Sequence, residues 1–163
     1  TKNLMEECPD ELLQGGVAAS SAASHIFNMN PKAPKLNEEK AEIFHHLVAK
    51  LLYLSKRTRP DIQLPVAFLT TRVREPDIDD WKKLGRCLCY LNDNRDLDLT
   101  LEISLPIIIR WWIDEAYGVH RDCKSHTGAA MSLGKGCPIN GSAMQPGMSS
   151  PSCIYLKNFA NKV

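Results

Sequence analysis

From Cys123 to Val163 the chain contains neither aspartate nor glutamate. A site that holds two divalent cations about 4 Å apart needs several carboxylates, so the C-terminal quarter cannot supply them. What that quarter does carry is Lys124, Lys135, Lys157 and Lys162, with no acid to balance them. Long apolar runs are also missing. No stretch approaches the roughly 20 residues that a membrane helix requires, and no membrane partner is expected. There is no cysteine-dense framework either: Cys8, Cys87, Cys89, Cys123, Cys137 and Cys153 are scattered through 163 residues. With no signal peptide at the start, these read as reduced thiols in an intracellular compartment, cytoplasmic or nuclear. Internal repeats and low-complexity tracts are absent. Bulk charge is nearly so, because 20 Lys and Arg face 19 Asp and Glu, a net +1. Such a balance draws the whole molecule to no partner of one sign.

What is present is an ordinary globular composition, 44% hydrophobic and 24% charged, enough for one domain or one small domain and part of another. Residues 1–14 can form a short helix around Leu4, Met5, Leu12 and Leu13, interrupted at Pro9. Residues 15–36, with Gly15-Gly16, Pro31 and Pro34, read as a connecting segment, so 1–36 is one unit of the expected organisation. Asn37 can cap a helix whose apolar stripe is Phe44, Leu47, Val48, Leu51 and Leu54. One of His45 and His46 is expected to be half-buried by that stripe. Lys56-Arg57 falls in the last turn, and Arg59-Pro60 stops the helix. The next helix shows Ile62, Val66, Leu69 and Val73 on one face. Proline deep inside a helix costs about 3 kcal/mol, so this helix should begin near Pro65 or bend there. A third opens with Asp77 or Asp79 as cap, buries Trp81, Leu84, Leu88 and Leu91, and ends at Asn92-Asp93-Asn94. Residues 37–94 are therefore expected to be a helical region.

Then the period changes to two. Leu97, Leu99, Leu101 and Ile103 alternate with polar residues, as in a half-buried strand. The run Ile107–Ile113 reads as a buried strand that delivers Asp114. Thr127 to Leu133 is its hairpin partner, residues 137–144 a weaker third strand, and Ser149 or Ser150 a cap for a last helix with Pro151 in its first turn. Helices first and an antiparallel sheet after give an α+β class. Asp114 is a candidate metal ligand or an acid at a strand end facing water. Glu115 is a poor second ligand, because neighbouring strand residues face opposite ways. His120, Cys123, His126 and Cys137 are the residue types of a tetrahedral zinc site, but their spacing matches no familiar finger. Lys50, Lys56, Arg57, Arg59, Arg72, Arg74, Lys82, Lys83 and Arg86 could contact phosphates; composition alone favours solvated helix faces balanced by nearby acids.

Several strings occur together. Phe44-His45-His46-Leu47-Val48-Ala49-Lys50-Leu51-Leu52-Tyr53-Leu54 leads into Arg59-Pro60-Asp61-Ile62, followed by Phe68-Leu69-Thr70-Thr71-Arg72-Val73 and Asp80-Trp81-Lys82-Lys83-Leu84. Trp111-Trp112-Ile113-Asp114, Ser125-His126-Thr127-Gly128 and Met131-Ser132-Leu133-Gly134-Lys135-Gly136 come after. In this order and spacing the chain resembles the polyprotein of copia-type LTR retrotransposons, from the end of the reverse transcriptase into the start of ribonuclease H. The resemblance is dense from Phe44 to Gly136 and weaker around Met5–Pro9 and Ala22–Phe27.

The resemblance implies a helical bundle followed by an antiparallel, ribonuclease H-like partial sheet in 97–163. It implies that 37–94 lies after the polymerase palm, an upstream partner, and helps to grip an RNA–DNA hybrid or other double-stranded nucleic acid. It singles out Lys56, Arg57 and Arg59 for phosphate contact, and it makes Asp114 the vestige of the first catalytic, Mg²⁺-binding carboxylate. It places both histidines of the zinc quartet in a hairpin turn without a metal. The departures are as informative. The polymerase's paired aspartates are not in this sequence. Where the family has Ser-Ser-Thr-Glu-Ala-Glu, this chain has Ser149-Ser150-Pro151-Ser152-Cys153-Ile154, so tight Mg²⁺ binding is not expected. The expectation is therefore a retrotransposon polyprotein fragment, catalytically inactive alone, with weak duplex binding. The alternative is a ribonuclease H completed by a partner chain.

Overall fold

The computed structural model describes residues 2–97, 109–118, 123, 125–133 and 154–155. The chain divides into two compact units, one of residues 1–57 and 62–96, the other of residues 58–61 and 97–163.

The first unit is built by helices. Two short ones, α1 (Lys2–Glu6) and α2 (Asp10–Leu13), flank Pro9, which has no N–H to continue the first. The long α3 spans Glu38–Arg57. Its start is fixed by Asn37, whose Oδ1 accepts from the Lys40 backbone N–H at 3.0 Å. Its stripe is buried at Phe44, Leu47, Val48 and Leu51, while Leu54 stays half-buried and Ser55 takes the next inward place. The Ser55 hydroxyl is accommodated by donating to the Leu52 carbonyl at 2.9 Å. His45 and His46 are both exposed, so neither is packing material.

A 3₁₀ turn, Pro60–Ile62, leads into α4 (Gln63–Thr70). Pro65 stands third in α4, where a helix N–H has no carbonyl to reach and its loss costs nothing. α5 (Ile78–Asp93) opens with a reciprocal cap: Asp77 Oδ1 accepts from the Asp79 and Asp80 N–H groups at 2.9 Å, and Asp80 accepts from the Asp77 N–H. Ile62, Val66, Leu69, Leu84, Leu88 and Leu91 are fully enclosed, each worth about 1.5–3 kcal/mol of burial.

The N-terminal stretch belongs to this core. Leu4, Met5, Cys8, Leu12, Ala18 and Ile26 are buried, and α2 packs on α5. Gly85 allows that approach, since a Cβ there would meet the Leu12 carbonyl oxygen at 3.1 Å. The Cys89 thiol donates to the same carbonyl at 3.4 Å, and the Ala18 N–H donates to Asp93 at 3.2 Å.

The fold class read from the sequence, α+β with an antiparallel, ribonuclease H-like partial sheet after the bundle, is corrected by this architecture. Among the described residues the packed core is helical, and the predicted partial sheet is not seen as a packed unit. In the second unit the described residues give only a backbone ladder, β1 (Ile109–Ala116) antiparallel to β2 (His126–Leu133), with the two-residue β3 (Ile154–Tyr155) beside β2. Beyond Leu97, no described residue is helical. Apolar alternation dictates which way an extended segment would turn its side chains; it does not supply the covering layer that makes a sheet part of a core. The strand expected at Leu97–Ile103 (Leu97 apart), the third strand at 137–144 and the last helix near Ser149 lie outside the described residues.

Candidate nucleic-acid interface

α3 ends in two cations, Lys56 and Arg57, both exposed. Part of their placement is local physics, because positive charge at a helix C-terminus opposes the negative end of its dipole. The same turn carries an aromatic. Arg57 lies over the ring of Tyr53, its guanidinium carbon 5.4 Å from the centroid, and Tyr53 is 68% exposed. Residues four apart on a helix share a face. Among the described residues no carboxylate pairs with Lys56 or Arg57.

Arg59 is placed differently. It is buried, and it forks onto Asp61, buried as well. Nε donates to Oδ1 and Oδ2 at 3.0 and 3.1 Å, and Nη2 to Oδ2 at 2.7 Å. Pro60 between them fixes the turn in which the fork closes. Its guanidinium is thus committed to a buried carboxylate, whereas Lys56 and Arg57 are exposed.

Most other basic candidates are also engaged. Lys50 pairs with Glu7, whose carboxyl is held below its ordinary value first by that contact and then by His46. Arg72 donates from Nε to Asp80 at 2.9 Å and from Nη2 to Asp77 at 3.3 Å, which closes the α5 cap. Burial dominates at Asp80 and raises its pKa despite the Asp77 N–H and Arg72. Lys82 pairs with Asp79 at 3.5 Å, and Arg86 donates to the Ser20 hydroxyl at 3.2 Å. Lys83 lies 4.4 Å from the Phe68 ring centroid and donates to the Asn28 carbonyl at 2.5 Å. Burial lowers its pKa, with Asp80, Asp77 and Asp79 opposing. Arg74 is exposed without a carboxylate partner among the described residues, but no aromatic ring lies beside it there.

Asp114 lies in β1 opposite Gly128, and Glu115 opposite Thr127. Asp122, His120 and Cys137 fall outside the described residues, while Cys123 is exposed and His126 pairs with Ala116. Among the described residues no group of three or more His, Cys, Asp or Glu side chains could hold a metal. No described helix is long and apolar enough to cross a membrane.

Sequence reasoning missed Tyr53 and Asp61. Both had a signal: Tyr53 stands four residues before Arg57, and Asp61 two after Arg59 across a proline. Neither pattern distinguishes a contact from a coincidence until the backbone is known.

No family model matches the chain, and no solved structure matches it. Over 100 residues it is 28% identical to a protein of Saccharomyces cerevisiae described as "Putative transposon Ty5-1 protein YCL074W". The matched stretch is 61% of this chain and 32% of the yeast protein, so the chain spans about a third of that relative's length. The chain is related to a transposon protein.

Proposed function

We propose that the chain is part of a copia-type retrotransposon polyprotein, from its reverse transcriptase/ribonuclease H region, and that by itself it binds nucleic acid without catalysis. Its ligand is an RNA–DNA hybrid or other double-stranded nucleic acid, held weakly and without sequence preference. Lys56 and Arg57 make the phosphate contacts; Arg59, through its fork to Asp61, sets the turn that follows them. The similarity to a transposon protein supports the origin. The observation that carries the binding role is the pair of exposed cations at the end of α3 with no carboxylate partner among the described residues.

Phosphate contacts release counterions, so affinity falls with salt at a log–log slope of roughly −0.9 per phosphate neutralised. In a salt titration of hybrid binding by fluorescence anisotropy, Lys56→Ala with Arg57→Ala should weaken binding alike for all sequences and flatten the slope by about 2. Unchanged binding in that variant would return both residues to a solvated helix end. The same hybrid incubated with Mg²⁺ or Mn²⁺ should remain uncut; cleavage abolished by Asp114→Asn would refute the lack of catalysis.

A further inference from the structure

Tyr53 is a large aromatic left 68% exposed on a helix whose inward stripe is otherwise filled by Phe44, Leu47, Val48 and Leu51. A single exposed aromatic needs no explanation, but this one has company. Arg57 lies over its ring at 5.4 Å, and Lys56 is exposed three residues on. Lys50, one turn before, is tied to Glu7. The positive charge beside the ring therefore comes from the two cations without acidic partners among the described residues. The cation–π contact, worth about 0.5–1 kcal/mol at an exposed site, favours one attitude of the ring and leaves its other face for a flat ligand.

We infer that Tyr53 is a stacking residue for an unpaired base, with Lys56 and Arg57 taking the adjacent phosphates. This rests on the phosphate-binding reading and narrows its ligand. Inside a duplex both faces of each base are covered by its neighbours, and a blunt end frees only the outer face of its last pair, so a ring beside two cations finds a free π-face flanked by phosphates only on a single strand. Aromatic side chains next to backbone-neutralising cations are the combination that holds single strands without reading sequence. The preferred ligand is accordingly a hybrid with a single-stranded overhang rather than a blunt one.

The test uses the full chain and three fluorescently labelled ligands: a blunt RNA–DNA hybrid, the same hybrid with an unpaired overhang, and the overhang strand alone. The parent should bind the overhang hybrid roughly 5- to 150-fold more tightly than the blunt one, the range spanned by one stacked base. Tyr53→Leu should abolish that preference, the ratio of overhang to blunt affinity falling to about one even if Arg57, which lies over the ring, shifts both affinities, whereas Tyr53→Trp should retain the preference. The substitution is at an exposed position, and matching circular dichroism would show that the helices are intact. Equal affinity of the parent for blunt and overhang hybrids would overturn the inference, as would a preference that survives in Tyr53→Leu. In either case blunt-hybrid binding with its Lys56- and Arg57-dependent slope would still stand. Overhang binding without blunt-hybrid binding would instead support the stacking role and refute the duplex reading. Binding to none of the three ligands at low salt would refute both.

Discussion

Removing Arg59 should unsettle the molecule far more than removing the cations two and three residues before it. Its guanidinium and the Asp61 carboxylate are both almost wholly enclosed, at 3% and 5% exposure, and three contacts of 2.7 to 3.1 Å join them. Arg59→Ala leaves a buried carboxylate without that partner, which typically costs about 3–5 kcal/mol. Against the roughly 5–15 kcal/mol that stabilises a domain, this is a large fraction. Arg59→Lys keeps the charge but cannot reproduce a planar fork, and should cost about 1.5–3 kcal/mol, the worth of one hydrogen bond to a charged group. Arg59→Ala with Asp61→Ala removes both charges at once, so its cost should fall short of the sum of the single changes by about 0.5–3 kcal/mol. Urea unfolding followed by far-ultraviolet circular dichroism measures all four. A cost below about 1 kcal/mol for Arg59→Ala, or strict additivity in the double variant, would show that the fork does not hold the turn. The same proteins separate structure from binding. Under conditions where Arg59→Lys is folded, its salt slope for hybrid binding should equal the parent's, because Arg59 is buried against Asp61.

Two further outcomes follow from buried titrating groups. Burial raises the Asp80 pKa above its ordinary value of 3.8, so as pH falls through the raised value the folded protein takes up a proton before the unfolded chain does. That contribution to stability grows on acidification and is lost as pH rises. The stability of the parent relative to Asp80→Asn should therefore increase from pH 7 toward pH 4, as read by urea midpoints; a flat or opposite trend would refute the burial argument. The Cys8 thiol is pushed up to about 11, first by burial, then by Cys89 and Asp10. At pH 8 only on the order of one molecule in a thousand would be thiolate there. Iodoacetamide should therefore label exposed Cys123 well before Cys8 in the folded protein, and both together in urea; prompt native labelling of Cys8 would contradict its burial.

The helices were legible in the sequence because each is written several times over. Asp77 was one of two aspartates offered as the cap, Trp81, Leu84, Leu88 and Leu91 fall at helical spacing, and both signals name the same element, whose reciprocal cap through Asp80 only the structure shows. The role of residues 1–36 was not legible, since Leu12 reaches the core through a backbone carbonyl that meets Gly85 and Cys89 on a helix more than 70 residues away. No local period encodes such a contact. The sheet failed for a related reason. Alternation from Leu97 onward specifies facing and not cover, and cover is a tertiary property. The state of the basic cluster was half legible. Charge counting chose Lys56, Arg57 and Arg59 as one cluster, yet charge says nothing of whether a neighbour has already neutralised it. Asp61, two residues beyond Arg59, takes one cation inward, while the helix turn that exposes the other two also sets Tyr53 beneath Arg57. Proximity in sequence made the three look equivalent. Across the proline Arg59 meets the buried carboxylate of Asp61, while Lys56 and Arg57 stay exposed.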